Sequence, residues 1–274
     1  MTMNEAKGHA LSGMRVGRSI MAGWRVLQRV SVFCVVLLVW QLIVWSGRIS
    51  EQLLPSPVQV FTTFSDLLAR HGLLGDLGAS VTRVLTGVFI GVILAIPAGF
   101  GLGWYSGVRV FFEPLLNFMR GLPPIALVPL VVVYLGIGEL ARTVVLVYAA
   151  FFAATIVIYE GVAGLEPIYI RAAQSLGANG REIFGRVVLP QTLPHVLTAL
   201  RVALGVAWAT LVAAELVAAQ RGLGALIQNA SNFFQIRTVF VGIMMIGMTA
   251  LLMDRGLRAF IARFVAWRET VEER

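Results

Sequence analysis

Six long stretches of mainly apolar residues follow one another along the chain, separated by more polar segments. They cover residues 29–46, 80–104, 113–135, 141–162, 194–216 and 238–262. Each stretch approaches the ~20 residues that a helix needs to cross the hydrocarbon core of a bilayer. The apolar residues do not alternate with period two over ~10-residue segments, as they do in a membrane β-barrel. The pattern predicts an all-α, polytopic membrane protein with about six transmembrane helices.

The composition agrees with a membrane location. Hydrophobic residues make up 58% of the 274 residues, and only 13% are charged. A soluble domain has about a quarter of its residues charged. The net charge of +8 would indicate a nucleic-acid partner in a soluble protein, but here it indicates anchoring to the cytoplasmic face of the membrane. We therefore expect a lipid partner and no nucleic acid.

The distribution of Lys and Arg predicts the orientation. An even number of spans puts both termini on the same side. With that side inside, fifteen Lys and Arg lie in cytoplasmic segments and five in outer loops, leaving aside Arg83 and Arg120 near or within spans. The positive-inside rule then predicts cytoplasmic N- and C-termini. The expected organisation is a cytoplasmic segment 1–28, a transmembrane domain 29–262 with a cytoplasmic loop at 163–193, and a cytoplasmic tail 263–274. The first stretch has no small-residue cleavage site, so we expect it to remain as a span.

Two local patterns predict packing. In the outer segment 47–79, apolar residues recur at helical spacing over residues 58–70 and predict a short interfacial helix. In the second span, small residues four apart would stack on one helix face and allow another helix to approach closely. The partner of this seam is either another span or a second copy of the chain. Its members are Gly87, Gly91, Ala95, Gly99 and Gly103. Ala199, Ala203 and Ala207 repeat the pattern in the fifth span.

The cytoplasmic loop has signals for two short helices. Pro167 suits a first helical turn, and Gly177 suits the position that ends a helix. Asn179 and Glu182 have the spacing of a capping box for a second helix. We expect Leu189 and Pro190 to end that helix before the fifth span. The loop therefore reads as helix, glycine turn, helix and proline stop.

Prolines and isolated charges mark candidate positions on a pathway. Pro123, Pro124 and Pro129 interrupt the third span, and an interrupted helix is tolerated at membrane depth only beside protein or water. We expect that span to border a translocation path. Arg120, just before the interruption, either contacts an anionic substrate or extends to the interface.

Two residues of the fifth span are further candidates. Glu215 pairs with a cation on the substrate or forms a structural salt bridge with Arg142 or Arg221. Trp208 lines the path or only packs. At the end of the sixth span, Asp254 and Arg258 are spaced to pair at i,i+4.

The loop sequence RAAQSLGANGREIFGRVVLP at 171–190 resembles the EAA loop of the membrane subunits of bacterial ABC importers. In that family the loop docks on an ATP-hydrolysing subunit. The resemblance implies a MetI-like type I permease fold and a coupling set of Glu166, Arg171, Ala172, Ala173, Leu176, Gly177, Val187, Leu189 and Pro190. The family usually begins the motif with Glu, whereas this chain has Arg171. Either the partner carries a compensating acid, or Glu166 takes that role.

The resemblance also implies the partners. They are two copies of an ATP-binding cassette ATPase, a second permease copy and a periplasmic solute-binding protein, in the bacterial inner membrane. ATP and Mg would be bound by the ATPase, so no cofactor or metal is expected in this chain. The segments at 53–60, 121–139 and 199–224 resemble the branch that imports taurine, aliphatic sulfonates, nitrate or bicarbonate, with the last of them most similar to taurine permeases.

Two other classes of protein are less consistent with the sequence. A membrane enzyme would need a catalytic constellation, and the three His form no cluster with Ser, Cys or Asp along the chain. A secondary transporter is the main rival; it usually has inverted repeats and intramembrane acids, and neither is evident. Co-purification with an ATPase distinguishes it from an ABC permease.

Overall fold

The structure, a computed structural model, describes residues 31–70 and 72–264. These ranges contain helices and no β-strand, so the predicted all-α fold is confirmed. The helices are α1 (Ser31–Trp45), α2 (Pro57–Arg70), α3 (Leu73–Trp104), α4 (Ser106–Gly121), α5 (Pro124–Leu135), α6 (Glu139–Ala163), α7 (Pro167–Ser175), α8 (Gly180–Ile183), α9 (Leu189–Ala218), α10 (Leu223–Asn232) and α11 (Ile236–Phe264). The chain divides into two compact units at residues 64 and 65. The predicted terminal segment 1–28 and most of the tail 263–274 lie outside the described residues.

The first unit contains α1 and the segment that leads into α2. The indole Nε1 of Trp40 donates to the carbonyl of Pro55 at 3.0 Å, which fixes the returning segment against α1. Ser56 and Gln59 form a reciprocal cap, in which each backbone N–H donates to the other side chain. This is a capping box with Gln in place of Glu, and it defines where α2 begins. The helix predicted over residues 58–70 is confirmed.

The second unit is built around α3 and α6, which pack in parallel. Gly87 faces Leu146, Gly91 faces Ala150 and Gly103 faces Val162, so each step of four residues on α3 matches a step of four on α6. A Cβ added at Gly103 would lie 2.4 Å from a side-chain carbon of Val162. The seam predicted from the sequence therefore packs against α6 of the same chain.

The third predicted span is divided into two helices. After Gly121 the chain leaves the helical path, and α5 begins at Pro124 with its axis at 93° to α4. Pro123 precedes α5 in an extended conformation, which proline favours in the residue before it as well as in itself. The expectation of one interrupted span, 113–135, is replaced by a bent pair that covers Ser106 to Leu135.

The proline stop expected at Leu189 and Pro190 is wrong. A five-residue π-helix, Phe184–Val188, joins α8 to α9, and Gly180–Leu216 forms a continuous helix of 37 residues. The N–H of Leu189 donates to the carbonyl of Phe184, five residues back. This wider turn accommodates Pro190, which has no N–H to donate, within the first turn of α9.

The remaining helices complete the bundle. Within residues 31–70 and 72–264, four helices (α3, α6, Gly180–Leu216 and α11) are long and apolar enough to cross a membrane, or five when the bent pair α4 and α5 is counted as one span. The short α10 was not predicted; its Ile227 packs closely against Gly242 of α11. Asp254 of α11 is bonded to Arg258, as predicted, and also to Arg201 of α9 at 2.6 Å.

Candidate functional site

The cytoplasmic loop predicted from the sequence begins with α7, which has a well-defined end. The N–H of Ala178 donates to the carbonyl of Ala173 at 3.1 Å, and that of Gly177 to Gln174 at 2.9 Å. These two bonds are the pair that defines a Schellman motif. Gly177 has φ of +84°, in the left-handed region that glycine adopts without steric cost. The direction of the chain after α7 is therefore set by the glycine.

A capping box starts the next helix. The Oδ1 of Asn179 accepts hydrogen bonds from the backbone N–H groups of Arg181 and Glu182 at 3.1 and 3.0 Å. The carboxylate of Glu182 accepts from the N–H of Asn179 at 2.9 Å. The backbone N–H groups at the start of α8, which have no acceptor within the helix, therefore donate to the side chains of Asn179 and Glu182. The turn between α7 and α8 is thus held by hydrogen bonds within the loop itself.

The side chains of this segment are largely exposed. No residue of α7 is buried, and Leu176 is 89% exposed. Between α7 and α8 lies a depression of about 400 Å³, lined by Ala173, Leu176, Gly177, Val187 and neighbouring residues. Of the remaining predicted coupling residues, Glu166, Arg171, Ala172, Leu189 and Pro190 are exposed and lie outside this lining.

Aromatic packing fixes the segment to the bundle. The ring of Phe184 packs edge-on against Phe100 and Trp104 of α3, with centroids 5.6 and 5.8 Å away. Ile183 and Val188, on either side of it, are buried. The exposed helices α7 and α8 are therefore mounted on the end of α3 where Trp104 lies.

An ion cluster in which Arg83, Arg142 and Glu215 are buried occupies the other end of the bundle. The carboxylate of Glu215, on α9, is fully buried and lies 2.6 Å from NH1 of Arg83 on α3. It also accepts from the hydroxyl of Ser80 at 2.8 Å and from the N–H of Gly224 at 2.7 Å. A buried charge is stable only when it is paired and hydrogen-bonded, and Glu215 meets both conditions.

The first residue of α6 extends the cluster. Both oxygens of Glu139 accept from Arg83, at 2.6 Å from NH2 and 2.7 Å from Nε. Arg142, one turn along α6, donates to the same carboxylate at 2.7 Å. The cluster thus joins α3, α6 and α9 through two arginines and two glutamates.

The turn from α9 into α10 is held by the same groups. NH1 of Arg83 donates to the carbonyl of Arg221 at 2.7 Å, and the N–H of Gly222 donates to Asp76 at 3.0 Å. Gly222 has φ of +135°, and a Cβ there would lie 2.4 Å from Glu215. Only glycine fits this position.

Most of this cluster was not predicted from the sequence. Arg142 and Arg221 were the expected partners of Glu215, but its carboxylate forms the salt bridge with Arg83, which was left out of the candidates. Glu139, Asp76 and Ser80 were not singled out. The available signal was the position of Arg83 inside an apolar helix, since an arginine there needs an acidic partner.

The other path candidates lie in separate settings. Arg120 is exposed in the last turn of α4, and Pro123 and Pro124 follow at the bend. Trp208 is buried on α9, and its Nε1 has no hydrogen-bond partner among the described residues. In the same ranges, no group of three or more His, Cys, Asp and Glu is placed to hold a metal ion.

Comparison with a solved structure shows the fold. The chain resembles the inward-facing MetNI methionine ABC transporter with a TM-score of 0.55 and 19% identity, over 68% of this chain and 95% of that one. The MetI-like type I permease fold expected from the sequence is therefore confirmed.

Sequence comparisons find much closer relatives. A probable ABC transporter permease of Brucella abortus (strain 2308) is 43% identical, covering 84% of this chain and 91% of that protein. The taurine transport system permease of Escherichia coli K12 is 38% identical, with 90% and 92% covered. A putative aliphatic sulfonates transport permease of Bacillus subtilis (strain 168) is 30% identical, with 87% and 86% covered. The family model of binding-protein-dependent transport system inner membrane components matches residues 87–265. With its multi-pass helical bundle and exposed helical loop, this chain belongs to that family of ABC importer permeases.

Proposed function

We propose that this chain forms half of the translocation pathway of an ATP-driven importer for taurine or another small alkanesulfonate, and that α7 and α8 dock on the ATPase. The observation that carries the proposal is the stiff, exposed helix–turn–helix at residues 167–183, mounted by Phe184 on the end of α3. A segment that transmits force has to keep its shape when pushed. The Schellman motif at Gly177 and the capping box at Asn179 supply that stiffness.

The docking segment and the ion cluster share one continuous helix. Gly180–Leu216 contains 37 residues, which at 1.5 Å per residue is roughly 55 Å long. Glu215 lies at its far end, bonded to α3 and, through Arg83, to α6. A displacement of the ATPase at α8 would therefore reach the opposite end of the bundle. The ATP-bound state must favour one of the two conformations for this to drive transport.

Membership of the family supports the proposed assembly. Two copies of this chain would face each other in the bacterial inner membrane, with two ATP-binding cassette subunits on the 163–193 loops. A periplasmic solute-binding protein would deliver substrate at the ends that carry Glu139 and Glu215. ATP and Mg would be held by the ATPase, and this chain would catalyse no reaction itself. Both termini are proposed to be cytoplasmic, from the Lys and Arg distribution.

The choice of substrate rests on two relatives. The match with this chain extends over at least 86% of the length of the taurine permease of Escherichia coli and of the sulfonate permease of Bacillus subtilis. The alternative within the same architecture is nitrate, bicarbonate or another small organic anion. The remote alternative is a secondary transporter that works without an ATPase.

The test is ATP hydrolysis by the permease reconstituted in lipid with its ATPase, with binding protein present and with or without taurine. We expect taurine-loaded binding protein to stimulate hydrolysis by wild type. Gly177→Asp should reduce the stimulation and weaken assembly, because it puts a charged side chain into the depression between α7 and α8 and a β-carbon at φ +84°, where glycine is the favoured residue.

Gly185→Ala is the matched control. Gly185 lies in the same segment, has an ordinary φ, and has open space around its Cβ position. It should keep wild-type stimulation. Undiminished stimulation of hydrolysis in Gly177→Asp would show that the loop does not couple the two subunits. Stable wild-type permease that transports taurine without binding any ATPase would establish the secondary transporter instead.

A further inference from the structure

Glu139 differs from the other members of the ion cluster in its access to solvent. Its side chain is 61% exposed, whereas those of Arg83 and Arg142 are 8% exposed and that of Glu215 is fully buried. The two arginines are therefore fixed inside the bundle. The carboxylate that bridges them is the part of the cluster that reaches the surface.

The two arginines form a cradle shaped for an oxyanion. Arg83 donates through Nε and NH2 to the two oxygens of Glu139, in the parallel fork that guanidinium groups make with carboxylates. Arg142 adds a third donor to Oε1 at 2.7 Å. A sulfonate or a small carboxylate presents oxygens at a similar spacing and can accept the same three bonds.

We propose that this cradle is an anion-binding site at the outer end of the permease, which Glu139 occupies as an internal ligand until a sulfonate displaces it. The proposal deepens the proposed function and rests on it for the identity of the anion. Exchange of one anion for another keeps both buried arginines paired, so it avoids the cost of leaving a buried charge uncompensated. The displaced Glu139 side chain needs to move only toward the solvent that it already faces.

Glu215 cannot play the same part. Besides Arg83, it accepts from Ser80 and from the N–H of Gly224, and none of its surface is exposed. Its removal would leave the α9–α10 turn without its support. The two glutamates are thus divided in role: Glu215 holds the helices together, and Glu139 closes the cradle.

Charge balance makes the site testable. The four ion-paired side chains of the wild-type cluster carry two positive and two negative charges. Glu139→Gln leaves one positive charge without compensation beside the solvent, and an anion from solution should take its place. Adding Arg142→Gln restores the balance, because Arg83 remains paired with Glu215. Glu139→Gln should therefore bind anions more tightly than wild type. The double variant, Glu139→Gln with Arg142→Gln, should not.

The experiment measures anion binding to the complete transporter, permease with ATPase, in lipid nanodiscs. The thermal unfolding midpoint is followed against methanesulfonate concentration, with tetramethylammonium chloride at matched ionic strength as reference. Chloride has a single acceptor atom and therefore does not present the two oxygens with which the guanidinium fork pairs. We expect Glu139→Gln to bind methanesulfonate roughly tenfold more tightly than wild type, since the ion then neutralises a buried charge. Glu139→Gln with Arg142→Gln should return to the wild-type affinity.

Glu160→Gln is the matched control, because it makes the same substitution near the opposite end of α6, where Glu160 has no ion pair among the described residues. Equal gains in Glu139→Gln and Glu160→Gln, or no gain in Glu139→Gln, would overturn the proposal.

If Glu139→Gln does not fold, Glu139→Asp should show a smaller gain in methanesulfonate affinity, because its shorter side chain holds the arginines less well. No gain in Glu139→Asp would also overturn the proposal. The two proposals fail in different ways. If taurine-loaded binding protein does not stimulate ATP hydrolysis by wild type, the proposed function is wrong. If it does, but methanesulfonate does not change the unfolding midpoint of Glu139→Gln, only the anion site is wrong.

Discussion

NH1 of Arg83 lies 2.6 Å from Oε1 of Glu215, although 132 positions separate the two residues in the chain. The pair connects the start of α3 to the end of α9, and through Glu139 it also connects to the start of α6. Three membrane helices are therefore joined at one end by ion pairs among four side chains, of which Glu139 alone faces the solvent.

Breaking this pair from one side should be costly. Glu215→Gln leaves one uncompensated positive charge in the cluster, and Arg83→Gln leaves one negative charge. Each should lower the free energy of unfolding by about 3–5 kcal/mol. The double variant keeps the balanced Glu139–Arg142 pair and should lose less than the sum. Thermal unfolding of the four proteins in detergent gives the double-mutant cycle; strictly additive losses would mean that the two side chains do not interact.

The seam between α3 and α6 should not tolerate even a methyl group. A Cβ at Gly91 would lie 2.7 Å from the Cβ of Ala150 and 2.9 Å from two backbone atoms of α6, which cannot move aside alone. Gly91→Ala should therefore destabilise the protein by about 1–3 kcal/mol. Gly101→Ala is the control on the same helix, because nothing lies within 4 Å of its Cβ position. The thermal unfolding midpoints of Gly91→Ala and Gly101→Ala are compared. Equal midpoints would show that α3 and α6 can separate locally without loss of stability.

The capping box should set how well the loop holds its partner. Asn179→Ala removes the acceptor for two N–H groups of α8, at a cost of about 1 kcal/mol. The permease should then bind the ATPase roughly fivefold more weakly, if α8 must be helical in the complex. Surface-immobilised ATPase measures this affinity. Ser175→Ala, which removes only a hydrogen bond to the Arg171 carbonyl, should bind the ATPase like wild type. An equal loss of affinity in Ser175→Ala would show that the effect comes from general fraying of the loop and not from the capping box.

Trp208 should contribute through its ring and not through its N–H. The side chain is buried, and its Nε1 makes no hydrogen bond within the described residues. Trp208→Phe removes the unsatisfied donor, which offsets part of the packing lost with the smaller ring, so it should lower the midpoint much less than Trp208→Ala. Trp208→Ala should cost about 3–5 kcal/mol through the cavity it creates. Loss of transport in a fully stable Trp208→Phe protein would instead assign the indole N–H to the pathway.

The helices and the local features of the loop could be predicted from the sequence because their causes are local. Pro167, Gly177 and the Asn179–Glu182 pair act within one or two turns of chain, and the structure has the helix ends where these residues place them. The apolar runs determined that the chain is a multi-pass helical membrane protein. The proline rule failed at Pro190, because a π-turn accommodates a missing N–H that an α-helical ladder would not.

Long-range relationships could be established only from the tertiary structure. The glycine row of α3 indicated a seam, but its partner, α6, depends on how the intervening helices return the chain, and the 93° bend at Pro123 is part of that return. Likewise, Glu215 was recognisable as a charge that needs a partner, yet the sequence indicated Arg142 or Arg221 and not Arg83. The choice of Arg83 depends on the parallel packing of α3 with α6 and on the approach of α9, since a salt bridge forms where the backbone brings two charges within reach of each other.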